Sequence, residues 1–353
     1  MFPLPLRERV RERGSTHAMF VTAAPLSPSL SHKGREGRLW MKRLQRFAFA
    51  LLACLAFGSA SSAFAQETKI NVGPIDAVLT VPPGVDHPPV ALIIAGSGTT
   101  DHDGNGPQVK PATLKKLSEQ LVAHQIATLR YDKRGAGGWK PEFGKPEDFR
   151  FKDFVDDAVS LVNYLRGSGK FSKVIVVGHS EGGLVGILTA RRVPIDRLVL
   201  LVTAARKQGD LVKSQLEKTI PTDVYAPIAK AIDAIMAGQI VDPPPPGLGI
   251  APAMQPGIAS AFNEDPIEPL KQIVQPTLII GGGRDRQVAR VDFAALSAAS
   301  PVAKTLWLPD MNHVLVDVTD EADDIKAYND AERPLDPRMI DAIADFILAG
   351  EAK

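Results

Sequence analysis

The chain has 353 residues, a formal charge of +1, 44% hydrophobic residues and a single cysteine. The charge is unevenly spread: 10 of the 41 Lys and Arg but only 3 of the 40 Asp and Glu fall in the first 65 residues, so the remainder carries 31 against 37, a net charge of −6. That balance leaves no electrostatic footprint for nucleic acid, and because Cys54 lies in the first segment, the remainder forms no disulfide and no Cys-ligated metal site.

Residues 1–40 are rich in Arg, Pro and Ser and show no apolar period; PLPLRERVRERG and PLSPSLSHKGREG look like a repetitive, partly palindromic DNA element read as protein. We expect this stretch to be a mis-called upstream extension. From Met41 the chain has a basic start (Lys42, Arg43, Arg46), an apolar run from Phe47 to Phe57, and Ala63, Phe64 and Ala65 before Gln66. This is the layout of a secretory signal peptide, 41–65. The apolar run is shorter than the roughly 20 residues a membrane-spanning helix needs. The expectation is translation from Met41, cleavage after Ala65, and a periplasmic or secreted protein with no stable membrane insertion. The alternative is a lipoprotein processed at LLAC, Leu51 to Cys54, but Leu52 fits that pattern poorly and the apolar run continues past Cys54.

The remaining 288 residues, 66–353, suit one large α/β domain. From Thr68 to Val81 the pattern alternates as in a hairpin of strands. Continuous apolar runs follow at PVALIIAGSG, IATLRYD (126–132), SKVIVVGHS (172–180), DRLVLLVTA (196–204), PTLIIGGGRD (276–285) and AKTLWLPDMNH (303–313). Such runs suit strands of a parallel sheet buried on both faces. Amphipathic helical stretches lie near 110–124, 152–166, 183–192, 289–299 and 335–349. The alternation predicts a doubly wound, mostly parallel sheet. Residues 206–270 break it with helices near 208–219, 224–238 and 253–263 around PPPPGLG (243–249). This is too long for a simple loop. We expect a helical cap over the carboxyl edge of the sheet, where such folds bind ligands.

VVGHSEGG, Val176 to Gly183, carries the chemistry. G-x-S-x-G arises by chance in about one chain in ten of this length, so the context decides. Ser180 stands after a buried strand and before a helix, the setting of a nucleophile elbow. The backbone N–H of Glu181, at the helix start, would face developing negative charge. A serine hydroxyl needs a base. Of the five histidines after residue 65, His87 and His124 read as surface residues, and His179 points elsewhere from the turn. His102 lies between Asp101 and Asp103; one histidine with two carboxylates reads as a hydrogen-bonded loop, and no metal is expected. His313 follows a strand late in the chain, which gives the order serine, acid, histidine. Asp285, at the preceding strand end, is the favoured acid; Asp310 is its rival, and Asp317 and Asp320 read as solvated. The glycine loop AGSGTTDHDGN (95–105) would supply a second oxyanion donor, the N–H of Ser97. Without a Walker lysine it does not read as a phosphate cradle. No cofactor is expected.

Taken together, AGSGTTDHDGN, RYDKRGAGG, VVGHSEGG, GGGRDRQV and LPDMNHVLV resemble the α/β-hydrolase superfamily, and more closely exported bacterial hydrolases of the serine-aminopeptidase-like or dienelactone-hydrolase-like kind. The resemblance extends over AMQPGIASAFNEDPIEPLKQI and DAERPLDPRMIDAI. It implies an α/β-hydrolase fold, Ser180, Asp285 and His313 as a triad, Ser97 and Glu181 at the oxyanion positions, and Asp132 and Arg134 bracing the site. The chain departs from the family pattern at Thr99, where proline is usual, at His102, where arginine is usual, and at Ala95, where many esterases carry histidine. The expected activity is hydrolysis of a small carboxylic ester through an acyl-enzyme. Alternatives are an aminopeptidase, amidase or thioesterase on the same triad, with Glu264 and Asp265 as candidates for holding an amine, and a periplasmic binding protein of weak or lost turnover. N-terminal sequencing of the native protein should begin at Gln66; a start before Met41 would contradict the reading of residues 1–40.

Overall fold

The computed structural model describes residues 65–350. The extension expected over 1–40 and the signal sequence expected over 41–65, Cys54 included, lie outside the described residues, Ala65 apart. Strands β1 (Gln66–Val72) and β2 (Ile75–Val81) form an antiparallel hairpin turned at Gly73, whose φ of 59° is the left-handed value that glycine adopts without strain. Then follow β3 (Val90–Ile94), helix α1 (Thr113–Ala123), β4 (Ala127–Tyr131), α2 (Lys152–Gly167), β5 (Val174–His179), α3 (Glu181–Ala190) and β6 (Arg197–Leu201). The chain continues through α4 (Gln208–Thr219), α5 (Thr222–Met236), α6 (Gln255–Phe262) and α7 (Ile267–Lys271) before returning to the sheet as β7 (Thr277–Gly282). It closes with α8 (Arg290–Ala299), β8 (Lys304–Leu308), α9 (Glu321–Ala327) and α10 (Pro337–Leu348).

The eight strands form one sheet in the order β1-β2-β4-β3-β5-β6-β7-β8. β2 pairs antiparallel with β4, and every pairing from β4 to β8 is parallel. This is the doubly wound, mostly parallel sheet that the alternation of strand and helix predicts, and the α/β-hydrolase fold that the resemblance implies. Its central strands are buried along their whole length, and alternate side chains serve opposite faces. Leu92, Ile94, Val176 and Leu198 pack with Val155, Leu161 (α2), Leu184, Val185 (α3) and Leu296 (α8). Ala91, Ile93, Ile175 and Val199 pack on the other face with Leu114, Leu117 (α1) and Ile340, Ile343 (α10). Each fully buried Leu or Ile contributes roughly 1.5–3 kcal/mol, so the sheet is held from both sides.

The topology also fixes where loops meet. After β3 the chain moves outward to β4; after β5 it moves the other way to β6. Adjacent strands whose connections leave in opposite directions open a crevice at their carboxyl ends. β3 and β5 are such a pair, with Ile94 opposite Gly178. The loops beginning at Ala95 and Ser180 therefore face each other.

Between β6 and β7, α4 to α6 build an apolar cluster of their own: Ile228, Ala231, Ile232 and Ile235 form one stripe of α5 and pack with Leu248, Ile250 and Phe262. Two short helices, α7 and α9, escaped the sequence periodicity because each is little more than a turn or two; α9 is set by its cap, Asp320 accepting the Asp323 N–H at 2.9 Å. The root of the insertion is fastened by Asp292 of α8. Its carboxylate accepts from Ala205 N (3.1 Å), Arg206 Nε (2.9 Å) and Arg206 Nη2 (2.7 Å), and its side chain is wholly buried while that of Arg206 is 34% exposed. Removing the acceptor strands several donors, although Arg206 can partly hydrate. Asp292→Ala should lower stability by about 2–4 kcal/mol, read as a drop in the urea midpoint.

Candidate active site

Ser180 has φ 55° and ψ −121°, a left-handed backbone that a residue with a side chain adopts only when its surroundings impose it. Three contacts impose it. The Ser180 N–H donates to the Leu201 carbonyl at 2.9 Å, tying the turn to β6. A Cβ on Gly178 would collide with the Gly182 backbone, and a Cβ on Gly182 would collide with the Ile94 carbonyl. The two glycines of the motif are thus needed for β5, α3 and β3 to approach this closely. Glu181 is the first residue of α3, so its N–H belongs to the donors that have no partner within the helix.

The loop expected to give the second donor lies directly over Ser180: a Cβ on Gly96 would sit 3.2 Å from the Ser180 Cβ. Asp101 shapes this loop by accepting from Asp103 N (3.0 Å) and Asn105 N (2.8 Å). His102 Nδ1 is 2.7 Å from Asp132 Oδ1, which also accepts the His102 N–H at 2.7 Å. The Asp132 bond outweighs burial and raises the His102 pKa. Asp132 therefore braces the loop, while Arg134 forms a two-pronged pair with Asp157 at 2.7 and 2.8 Å. Among the described residues no group of three or more His, Cys, Asp or Glu could hold a metal ion.

His313 Nδ1 stands 2.8 Å from Asp285 Oδ2, with both side chains at most 2% exposed. The other Asp285 oxygen accepts from Gln287 N (2.7 Å) and Val288 N (2.9 Å), which fixes the carboxylate. With Nδ1 engaged, the free ring nitrogen of His313 is Nε2, which is buried and has no hydrogen-bond partner. The loop holding His313 is pinned from behind: Asn312 accepts the N–H groups of Val314 and Val316, both at 3.1 Å, and donates to Asp324 of α9 at 2.8 Å. Asp310 is exposed, and its carbonyl accepts the Val318 N–H at 2.9 Å. Asp317 pairs with Arg338 at 3.0 Å.

His179, the residue before Ser180, joins the two halves. Its Nε2 is 2.8 Å from the His313 carbonyl, and the two rings are 5.1 Å apart. A carbonyl accepts, so His179 Nε2–H is the donor. Burial, reinforced by the neighbouring His313, lowers the His179 pKa to about 4 and keeps this ring neutral.

Two residues that the sequence reading did not single out complete the site. The Glu181 carboxylate is buried; Lys133 Nζ donates to its Oε1 at 2.6 Å and Gln208 Nε2 to its Oε2 at 2.5 Å. Burial pushes the Glu181 carboxyl up, but the Lys133 ammonium and these hydrogen bonds outweigh it and hold it below the usual range. Lys133 also donates to the Gly96 carbonyl at 2.9 Å, and Gln208 to Ser97 Oγ at 3.1 Å. Lys133 lies inside RYDKRG, between the two residues first read as bracing; a lysine in a charged stretch gives no sign that it is buried. The arrangement offers a hydroxyl on a strained turn, an imidazole with a carboxylate on one nitrogen and the other free, and backbone donors from α3 and the glycine loop.

The model of the alpha/beta hydrolase family matches residues 104–327. The chain is 26% identical over 290 residues to Esterase EstD of Thermotoga maritima, covering 80% of this chain and 68% of that one. It is 35% identical over 108 residues to the human serine hydrolase BPHL, covering 30% of this chain and 31% of that one. Among solved structures, Est1E from Butyrivibrio proteoclasticus with bound ferulic acid superposes with a TM-score of 0.53 at 19% identity, covering 81% of this chain and 100% of that one. E-2-(Acetamidomethylene)succinate hydrolase gives 0.51 at 18% identity over the same shares. These two structural likenesses speak for the fold.

His179 makes a testable contribution to stability. The folded state keeps its ring unprotonated down to about pH 4, whereas the unfolded ring takes its proton near 6.5. The unfolded state thus binds the extra proton, and native stability falls as pH is lowered through that window. At about 1.4 kcal/mol per pKa unit the full loss is about 3.5 kcal/mol, of which about 2 kcal/mol falls between pH 7 and pH 5. His179→Gln, which keeps a donor for the His313 carbonyl, should remove this part of the difference between urea unfolding at pH 7 and at pH 5.

Proposed function

The chain belongs to the alpha/beta hydrolase family, and from that premise we propose that it is a serine hydrolase cleaving a small carboxylic ester through an acyl-enzyme. The observation that carries this reading is the Asp285–His313 pair at 2.8 Å, which leaves His313 Nε2 free, on a loop that touches the residue preceding Ser180. In this mechanism His313 Nε2 takes the proton of Ser180 Oγ as the oxygen attacks the acyl carbon. Asp285 holds the tautomer and stabilises the imidazolium. The N–H groups of Ser97 and Glu181 receive the oxyanion, and helix α3 points the positive end of its dipole at the same place. The proton then passes from His313 to the leaving alcohol. Water, deprotonated by the same nitrogen, releases the acid and restores Ser180.

An ester is favoured over an aminopeptidase substrate. Glu264, one of the two candidates for holding an amine, is half-buried, and burial raises its pKa. Asp265 is exposed and accepts the Ile267 N–H at 2.9 Å. The similarity to Esterase EstD points the same way. The signal sequence read at 41–65 supports export to the periplasm or beyond. Among the described residues no helix is long and apolar enough to cross a membrane.

Ser180→Ala should fold normally and lose p-nitrophenyl acetate and butyrate hydrolysis by about 10⁴-fold or more. Asp285→Asn should cost about 10⁴-fold in kcat, because the imidazole is then held in the wrong tautomer. If Ser180→Ala kept more than a trace of turnover, Ser180 would not be the nucleophile.

A further inference from the structure

Lys133 is a lysine with a side chain only 1% exposed, paired with a Glu181 side chain 7% exposed. Its ammonium also lies 4.1 Å from the centre of the Phe154 ring. Burying such a pair gains little stability over well-packed apolar side chains of the same volume. What an apolar pair could not do is donate a hydrogen bond to a chosen carbonyl. Lys133 makes one such bond, to Gly96, the residue immediately before Ser97.

That carbonyl matters through the planarity of the peptide bond. In a trans peptide the C=O of one residue and the N–H of the next lie in one plane and point in opposite directions. Pinning the Gly96 oxygen on Lys133 Nζ therefore fixes the direction of the Ser97 N–H. A loop rich in glycine, with Gly96 and Gly98 on either side of Ser97, would otherwise leave this peptide free to turn over. The anchor for the lysine is the side chain of Glu181, whose own N–H is the other donor. Gln208, the first residue of α4, bonds the second Glu181 oxygen and Ser97 Oγ, so the insertion grips the same loop.

We propose that Lys133 and Glu181 are positioning residues whose buried ion pair orients the Ser97 N–H into the oxyanion site, beside the Glu181 N–H that helix α3 holds, with Gln208 linking the helical insertion to the pair. This inference rests on the reading of Ser180 as nucleophile and of the Ser97 N–H as oxyanion donor.

The test uses Lys133→Met together with Glu181→Gln, which removes the Gly96 bond without leaving a buried charge unpaired. Wild-type turnover of p-nitrophenyl acetate, and its loss in Ser180→Ala, are measured first; without them the functional reading and this inference fall together. With them in hand, the double variant should lose about 10- to 100-fold in kcat, at or below the cost of deleting an oxyanion donor outright. Affinity for a trifluoromethyl ketone, which forms a tetrahedral oxyanion on the serine, should fall by a similar factor. Affinity for the product butyrate, which makes no such oxyanion, should stay within about twofold of wild type. Wild-type kcat and ketone affinity in a folded double variant would overturn the inference while leaving the serine hydrolase reading intact. Equal losses for ketone and product would also overturn it, because they mark general damage. If the double variant does not fold, Gln208→Ala, which removes the bonds to Glu181 and to Ser97 Oγ, carries the test: kcat and ketone affinity should drop about 3- to 10-fold, with product affinity unchanged. Unchanged kcat in that variant would then count against the network.

Discussion

The close approach of three backbones at the end of β5 is the constraint on which the site depends. Gly182 presses against the Ile94 carbonyl, and Gly178 against Gly182 itself, so strand, helix and neighbouring strand meet with no room for a side chain. That crowding forces Ser180 to φ 55° and lifts it out of the sheet edge. A residue in that region costs of order 1–3 kcal/mol, which the surrounding packing must offset. The parallel sheet does so, since β5 is buried on both faces by α1 and α10 on one side and by α2 and α3 on the other.

The carboxylates and the amide buried around this point are answered by partners. Asp285 has three donors, Asn312 bridges its own loop to α9, and Glu181 has a lysine and an amide. His313 Nε2 is buried and unanswered, as Tyr131 Oη also is. Leaving a buried ring nitrogen unpaired is unfavourable, and in the proposed mechanism the group that satisfies it is the hydroxyl proton of Ser180. His179 adds a neutral ring between the two halves. Were it protonated, its charge would oppose formation of a His313 imidazolium, so its depressed pKa suits the proposed mechanism.

The fold was legible because its signals are periodic and local. Runs such as VALII and VIVVGH are apolar at successive positions, and they become the central strands. The residues proposed for the triad were legible from order and strand ends, and the structure brings Asp285 and His313 together at 2.8 Å. Burial of charge was not legible. Lys133 and Glu181 sit 48 residues apart, and nothing in RYDKRG or HSEGG distinguishes an ion pair sealed inside the protein from two solvated side chains. Gln208 was hidden for the same reason, because it opens a helix whose partners lie on loops far away in sequence. Short helices such as α9 escaped because a capped turn in an acidic stretch has no hydrophobic period.

The claim that Ser180 is an activated nucleophile is tested most directly by mass spectrometry of the protein after reaction with a fluorophosphonate. The account predicts one adduct per chain, mapped to Ser180, and no adduct when His313 is replaced by alanine. Hydrolysis of esters without an adduct at Ser180, or an adduct on another residue, would contradict it.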